Sequence, residues 1–248
     1  MAEGDGVIDA DAAMVAGQSP PSSRAALDRG RIVAAAISFI DESGLPGLTM
    51  RRLGGVLGVE AMSLYRYVPG RENLLDAVVE AIMDEMREDE EVLASPRDGW
   101  QDFLQRLAHG VRRVALAHPK VFPLVASRPA EAPWLRPPLR SLDWVEIFLA
   151  ALVGEGFSDD GAVAAYRAFT SFLLGHLLLE VAVHGADVGP LDVLEGGEDL
   201  PSGLGPYPSV ARLRGELSQD HSAVEFEESL ENLLDRLALI RSETAQPA

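Results

Sequence analysis

From Leu27 to Ile240 apolar residues keep returning every three or four positions, and the runs are separated by glycine and proline breaks. Little of the chain alternates in the period-two manner of a strand, so the pattern restricts the fold to an all-α class. The first run puts Ile32, Val33, Ala36, Ile37 and Ile40 on one face and stops in SGLPG, residues 43–47. Thr49 is a candidate N-cap for a short helix ending at Leu57 and Gly58, and a second short helix, Ala61 to Tyr67, is closed by Pro69 and Gly70. A long amphipathic helix then runs from Arg71 to about Ala94, with Leu74, Leu75, Val78, Val79, Ile82, Met83 and Met86 on its apolar side. Beyond Ser95-Pro96 the periodicity predicts helices over 98–117, 119–126, 134–155, 159–184 and 221–240. Ser158 can cap the helix at 159, with Asp159 and Asp160 favourable in its first turn. Residues 1–23 and 242–248 read as disordered ends, and 185–208, rich in Gly, Pro and acids, as a flexible loop.

Charge is distributed unevenly over this framework. The whole chain carries a formal net charge of -18, yet residues 24–71 hold seven arginines against four acids. A strongly acidic surface disfavours a polyanion, because phosphate binding requires cations to neutralise it. The local reversal of sign marks the one segment where such binding can occur. Lys120 is the single lysine, a bias given little functional weight.

Several classes of chemistry are excluded. There is no cysteine, so disulfides, thiolate metal sites and thiol catalysis are absent. His109, His118, His176, His184 and His221 show no zinc-binding spacing, and the acidic run 84–92 reads as a solvated helix face, so no metal and no cofactor is expected. The N-terminus has neither a basic region nor an apolar run, so it does not read as a signal peptide. The longest nearly uncharged apolar stretch, Ala168 to Leu179, is shorter than the roughly 20 residues of a membrane span. The expectation is a cytoplasmic protein without a membrane partner.

The helices at 49–57 and 61–67, joined by a glycine-containing turn, have the dimensions of a helix-turn-helix. Leu53, Leu57, Val59 and Leu64 supply its small core, leaving Arg51, Arg52, Ala61, Met62, Ser63, Tyr65, Arg66, Tyr67 and Arg71 to face outward. A recognition helix enters the major groove with its leading residues at base edges, while Arg, Ser/Thr and Tyr around it hold phosphates. Charge and periodicity alone fit equally well a pair of amphipathic helices with an arginine-rich solvated face.

The order T-x-R-x-L-G-x-x-L-G-V-x-x-x-S-L-Y-R-Y-V from Thr49, followed by GRENLLDAVVE, closely resembles the DNA-binding segment of the TetR family of bacterial transcriptional regulators over about residues 24–90. The resemblance implies an N-terminal three-helix DNA-binding domain at 24–70 and a helical effector-binding and dimerisation domain at 71–241. It implies phosphate and base contacts for Thr49 and Arg51, and puts Ala61, Met62 and Ser63 at the leading end of the recognition helix. Tyr65 and Tyr67 match aromatic positions that hold phosphates or pack beneath them, Arg66 a DNA-facing position and Arg71 a basic contact.

HPKVFPLVASRP and GFSDDGAVAAYRAFTSFLLGHLLLE resemble the C-terminal domain of the tetracycline repressor branch. Where that branch places a metal-coordinating histidine shortly before its Arg-Pro, this chain has Leu124, so a tetracycline–magnesium ligand is not implied. Met83, Met86, Phe103, Leu107, Phe122, Trp134, Trp144, Phe148, Tyr166, Phe169 and His176 are candidates to line an effector cavity, with Tyr166, His176 and Arg128 as polar anchors; individually each fits a packed core as well. The implied effector is small and apolar. The resemblance also implies a homodimer through about 159–184 and 221–240, with stripes through Phe169, Phe172, Leu173 and through Leu230, Leu234, Leu237 as candidate contacts; burial of both stripes within one chain is the alternative. The expected function is therefore a homodimeric regulator, in most of the family a repressor, on a palindromic double-stranded DNA operator. A helical protein-interaction module without DNA binding is the competing reading; an enzyme is disfavoured because no G-x-S-x-G, P-loop or dinucleotide fingerprint is present.

Overall fold

The computed structural model describes residues 26–88, 92, 96–128, 141–188 and 205–244. Among the described residues there are ten α-helices and no strand. In chain order they are α1 (Arg29–Ser43), α2 (Met50–Leu57), α3 (Ala61–Leu64), α4 (Arg71–Glu88), α5 (Trp100–Ala117), α6 (Phe122–Ser127), α7 (Leu142–Gly154), α8 (Asp159–Val183), α9 (Pro208–Leu217) and α10 (Ser222–Thr244).

Local signals fix the start of the chain. Asp28 Oδ1 accepts from the Arg31 amide at 2.8 Å to begin α1, and Thr49 Oγ1 accepts from the Arg52 amide at 3.2 Å to begin α2. α1 packs against α2 and α4, and α2 against α3. The core between them contains Ile32, Ala36, Ile40, Leu48, Leu53, Leu64, Val68, Leu74 and Val78. The second helix of the pair is shorter than its predicted span. Tyr65 to Tyr67 form a turn in which the amides of Tyr67 and Val68 both reach the Leu64 carbonyl, at 3.0 and 2.9 Å. Val68 precedes Pro69, a position that disfavours helical backbone.

α8, 25 residues long, is the central pillar of the remainder. Ser158 Oγ accepts from the Gly161 amide at 3.1 Å at its start, with Asp159 and Asp160 in the first turn. It packs against α5, α6, α7 and α10, while α4 reaches α5 and α6. By length and composition α8 could cross a membrane, with a mean hydropathy of 1.4 over its best window. The uninterrupted-run criterion overlooked it because isolated polar residues divide the apolar positions. Its inward residues nevertheless pack in the core: Tyr166, Phe169, Leu173 and Leu177 are buried, and buried Glu180 pairs with Arg112 of α5.

Other boundaries differ from the sequence expectation. The helix predicted at 119–126 starts at Phe122, because the amides of Val121 and Phe122 both turn back to the His118 carbonyl. Helix α9 was not anticipated; it has no buried residue, so no apolar face announced it. The last helix continues to Thr244, which takes in the first residues of the predicted tail. Residues 1–23, 189–204 of the predicted loop, 245–248 and Trp134 lie outside the described residues. Both proposed dimer stripes are internal: Phe169 and Leu173 are buried, Phe172 is half-buried and stacks on Phe226 at 5.9 Å, and Leu230, Leu234 and Leu237 are buried. Near-heptad spacing identified the buried face of α10, and α8 covers it within the same chain.

Candidate DNA-binding face and effector cavity

The turn between α2 and α3 depends on two glycines for different reasons. Gly58 has φ 68°, in the left-handed region where a β-carbon is disfavoured. Gly54 is buried at the helix crossing, where a Cβ would lie 2.8 Å from the Val59 carbonyl oxygen and 3.2 Å from the Ala61 nitrogen. The Val59 amide bonds to the Gly54 carbonyl at 2.9 Å, so the approach is held by backbone.

This packing presents most of the predicted contact set outward. Arg51, Met62, Tyr65, Arg66 and Tyr67 are exposed, Met62 by 72%, while Ala61 and Ser63 are half-buried at the leading end of α3. Among the described residues Arg51 and Arg66 make no ion pair, so both guanidinium groups are available to phosphate or base edges. Thr49 uses a lone pair as N-cap and keeps its hydroxyl proton for another acceptor. Two arginines take partly structural positions. Arg52 Nη1 donates to the Gly47 carbonyl at 3.1 Å. Arg71 Nε donates to the Leu48 carbonyl at 3.2 Å and Nη2 to Leu45 at 3.4 Å, tying the start of α4 to the loop before α2.

A cavity of about 90 Å³ opens between α4, α5, α6, α7 and α8. Of the predicted lining set, Met83, Met86, Leu107, Phe122, Trp144, Phe148, Tyr166 and Phe169 border it; Val111, Val125, Ala126, Thr170, Leu173 and Leu174 are the other described residues on its wall. Phe148 is the centre of an aromatic cluster, 5.7 Å from the Tyr166 ring and 5.5 Å from Phe169. Burial pushes the Tyr166 phenol up to about 12, against a hydrogen bond with Thr170 that acts in the opposite direction. That hydroxyl is neutral over the physiological range.

Three sequence assignments are corrected. Phe103 stands behind Phe148, 6.4 Å between centroids, and does not border the cavity. His176 faces α10 instead, 5.2 Å from the ring of Phe226. Arg128 is not an anchor there: Nη1 donates to Glu72 Oε2 at 2.9 Å and Nη2 to Asp76 Oδ1 at 2.8 Å, both on α4. Apolar periodicity selects inward positions, but only the third dimension separates those behind the wall from those on it. Leu124, in place of the metal-binding histidine, is also outside the lining. Among the described residues no cluster of His, Asp or Glu is placed to hold a metal ion.

A family model for the tetracyclin repressor-like C-terminal domain matches residues 94–239, more than half of the chain. The chain belongs to the TetR family of transcriptional regulators. An HTH-type transcriptional regulator of Saccharopolyspora erythraea is 31% identical over 186 residues, covering 75% of this chain and 74% of that one. The crystal structure of a possible TetR family transcriptional regulator from Streptomyces coelicolor A3(2) superposes with a TM-score of 0.67 at 32% identity, covering 86% of this chain and 100% of that one. The TetR family protein ActR from Streptomyces coelicolor, solved in complex with actinorhodin, superposes with a TM-score of 0.62 at 26% identity, covering 86% and 96%.

In this TetR-family chain the cavity helices are fastened to α1 and α4 by charged contacts that the sequence reading did not identify. Arg128, at the end of α6, joins α4 as described; burial disfavours its charge, but Glu72 and Asp76 outweigh that and raise its pKa above the ordinary value. His118, at the end of α5, lies between Asp41 of α1 (Nδ1 to Oδ2, 2.7 Å) and Glu85 of α4 (Nε2 to Oε2, 3.4 Å). Lys120 Nζ donates to the Glu42 carbonyl at 3.0 Å. These partners lie 33 to 78 positions apart in sequence, beyond the reach of any spacing rule.

Proposed function

We propose that this chain is a homodimeric transcriptional repressor that holds a palindromic DNA operator through α2 and α3 and releases it when a small apolar molecule enters the cavity. The observation that carries the reading is the exposed, uncompensated pair Arg51 and Arg66 beside Met62, Tyr65 and Tyr67, on a turn pinned by Gly54, in a chain whose net charge is -18. Thr49, Ala61, Ser63 and Arg71 complete the proposed contact surface, Arg71 by exchanging its Nη1 pairing with Glu72 at 3.6 Å for a phosphate. Acidity elsewhere would discourage other faces from adhering to DNA.

The proposed dimer uses α8 and α10 through their outer faces. Leu179 and Val183 on α8 are 73% and 71% exposed, and Val224 and Leu239 on α10 are also exposed. Two copies would space their recognition helices by roughly 34–36 Å, one turn of DNA. Arg128 would carry movement of α6 to α4, so that an effector favouring one arrangement lowers operator affinity by its differential binding. The protein would act in the cytoplasm, as a regulator without enzymatic activity, in keeping with the regulator relatives.

Footprinting of the DNA flanking its own gene tests this. A symmetric protected site, together with a sedimentation mass near twice 26.6 kDa, is expected; an asymmetric site or a strict monomer at micromolar concentration would contradict the dimeric arrangement.

A further inference from the structure

The side chains of α3 narrow what the helix pair can read on DNA; the inference rests on reading α2 and α3 as the DNA-binding face. Leu64 is fully buried and anchors α3 to the core. Met62, two positions earlier, is turned by about 200° from it around the helix axis and is 72% exposed, while Ala61 and Ser63 on either side are half-buried. The leading end that carries it is held by backbone. A Cβ on Gly54 would lie 3.2 Å from the Ala61 nitrogen and 3.4 Å from its Cα, and the Ser63 amide bonds to the Glu60 carbonyl at 2.9 Å. Met62 is therefore presented to solvent by a fixed turn.

A single exposed apolar side chain is ordinary on a protein surface. Met62 is informative because of what surrounds it in the chain. Ala61, Met62 and Ser63 include no Arg, Lys, Asn or Gln, the side chains that reach guanine or adenine by paired hydrogen bonds. A thioether has no proton to donate and accepts only weakly. In unmodified DNA the major groove offers such a group one apolar partner, the C5-methyl of thymine. Set against the amino and carbonyl groups of the other base edges, the same side chain would strip their water without replacing it. We propose that Met62 is a specificity-determining residue of the operator contact, selecting a thymine in each half-site through that base's methyl group. Arg51 and Arg66 supply charge to the contact, and Met62 supplies a choice of base.

The test uses the full chain and the site footprinted in the DNA flanking its gene, synthesised so that thymine is the only methylated base. Thymines are replaced by deoxyuridine, which removes the methyl and nothing else, one symmetric pair of positions at a time. Wild type should lose about fourfold in affinity for each contacted methyl removed, at one thymine of each half-site. Met62→Ala, a change at an exposed position that should melt with wild type, is expected to bind the thymine and uracil forms of that position equally. Met62→Gln, of similar length but polar, should lose the penalty as well. Wild-type affinity indifferent to uracil at every position, or the same uracil penalty in both variants as in wild type, would overturn the proposal. The absence of a protected site on every flanking fragment would sink the regulator reading and this inference with it; a protected site indifferent to the methyl removes only the role of Met62.

Discussion

The two working regions of this molecule are built on opposite principles. The α2–α3 face is a short-range device: nine residues from Thr49 to Leu57, a turn held by Gly54 and Gly58, and charges left in solvent. The cavity is assembled from five helices between α4 and α8, has no charged residue among the described residues of its wall, and brings Trp144 beside methionines 58 positions or more away in sequence. Small backbone changes should therefore destroy the first region, whereas the second should tolerate reshaping and respond in ligand preference. At the junction between them Arg128, His118 and Lys120 make charged contacts through which, under the proposed function, one region would affect the other.

The largest effects should come from enforced close approach and buried charge. Gly54→Val puts a side chain where even a Cβ lies 2.8 Å from the Val59 oxygen; about 3 kcal/mol of stability should be lost with operator binding, seen by thermal melting and anisotropy titration. A comparable loss confined to the other region is expected for Arg112→Met, which leaves the Glu180 carboxylate buried and unpaired, at about 3 kcal/mol. Its signature is a lowered melting temperature with no change in the intrinsic DNA contacts of folded protein. If Gly54→Val proved as stable as wild type, the tight helix crossing would be wrong.

The framework was largely legible in the chain because its signals are local. Asp159 and Asp160 after Ser158, Thr49 before Met50, and the glycines around Val56 specify helix ends within a few residues. The outward placement of Arg51, Met62, Tyr65, Arg66 and Tyr67 was legible for the same reason, since the faces of short helices need only their register. What sequence could not supply was set by tertiary packing. Nothing in the spacing separates Phe103 from Phe148, though one lies behind the other; nothing marks Arg128 as the partner of Glu72 and Asp76. The stripe on α10 gave the right face and the wrong neighbour, because a heptad-like pattern reports burial against a helix without saying whose helix it is.

Smaller effects refine the contrast. Arg128→Met should leave operator affinity within about threefold of wild type while weakening its response to a cavity ligand, because removing a junction contact changes coupling more than either site. Unchanged coupling, read as the ligand-induced shift in operator affinity, would remove Arg128 from the pathway. The Tyr166 phenol gives the gentlest probe. Its pKa is raised in the folded protein to about 12, so above pH 10 the unfolded chain ionises first and stability should fall as pH rises toward 12. Tyr166→Phe should flatten that slope in chemical denaturation; an unaltered slope would place another group behind it.

The central claim is that an acidic protein binds DNA through one small basic face. It is tested most directly by the salt dependence of binding to the DNA flanking its gene, for wild type and Arg51→Ala. Wild-type affinity should fall at least about 100-fold between roughly 50 and 200 mM salt, and Arg51→Ala should weaken binding and reduce the logarithmic slope by about one. Negligible binding at low salt on every fragment, or an Arg51→Ala slope identical to wild type, would contradict it.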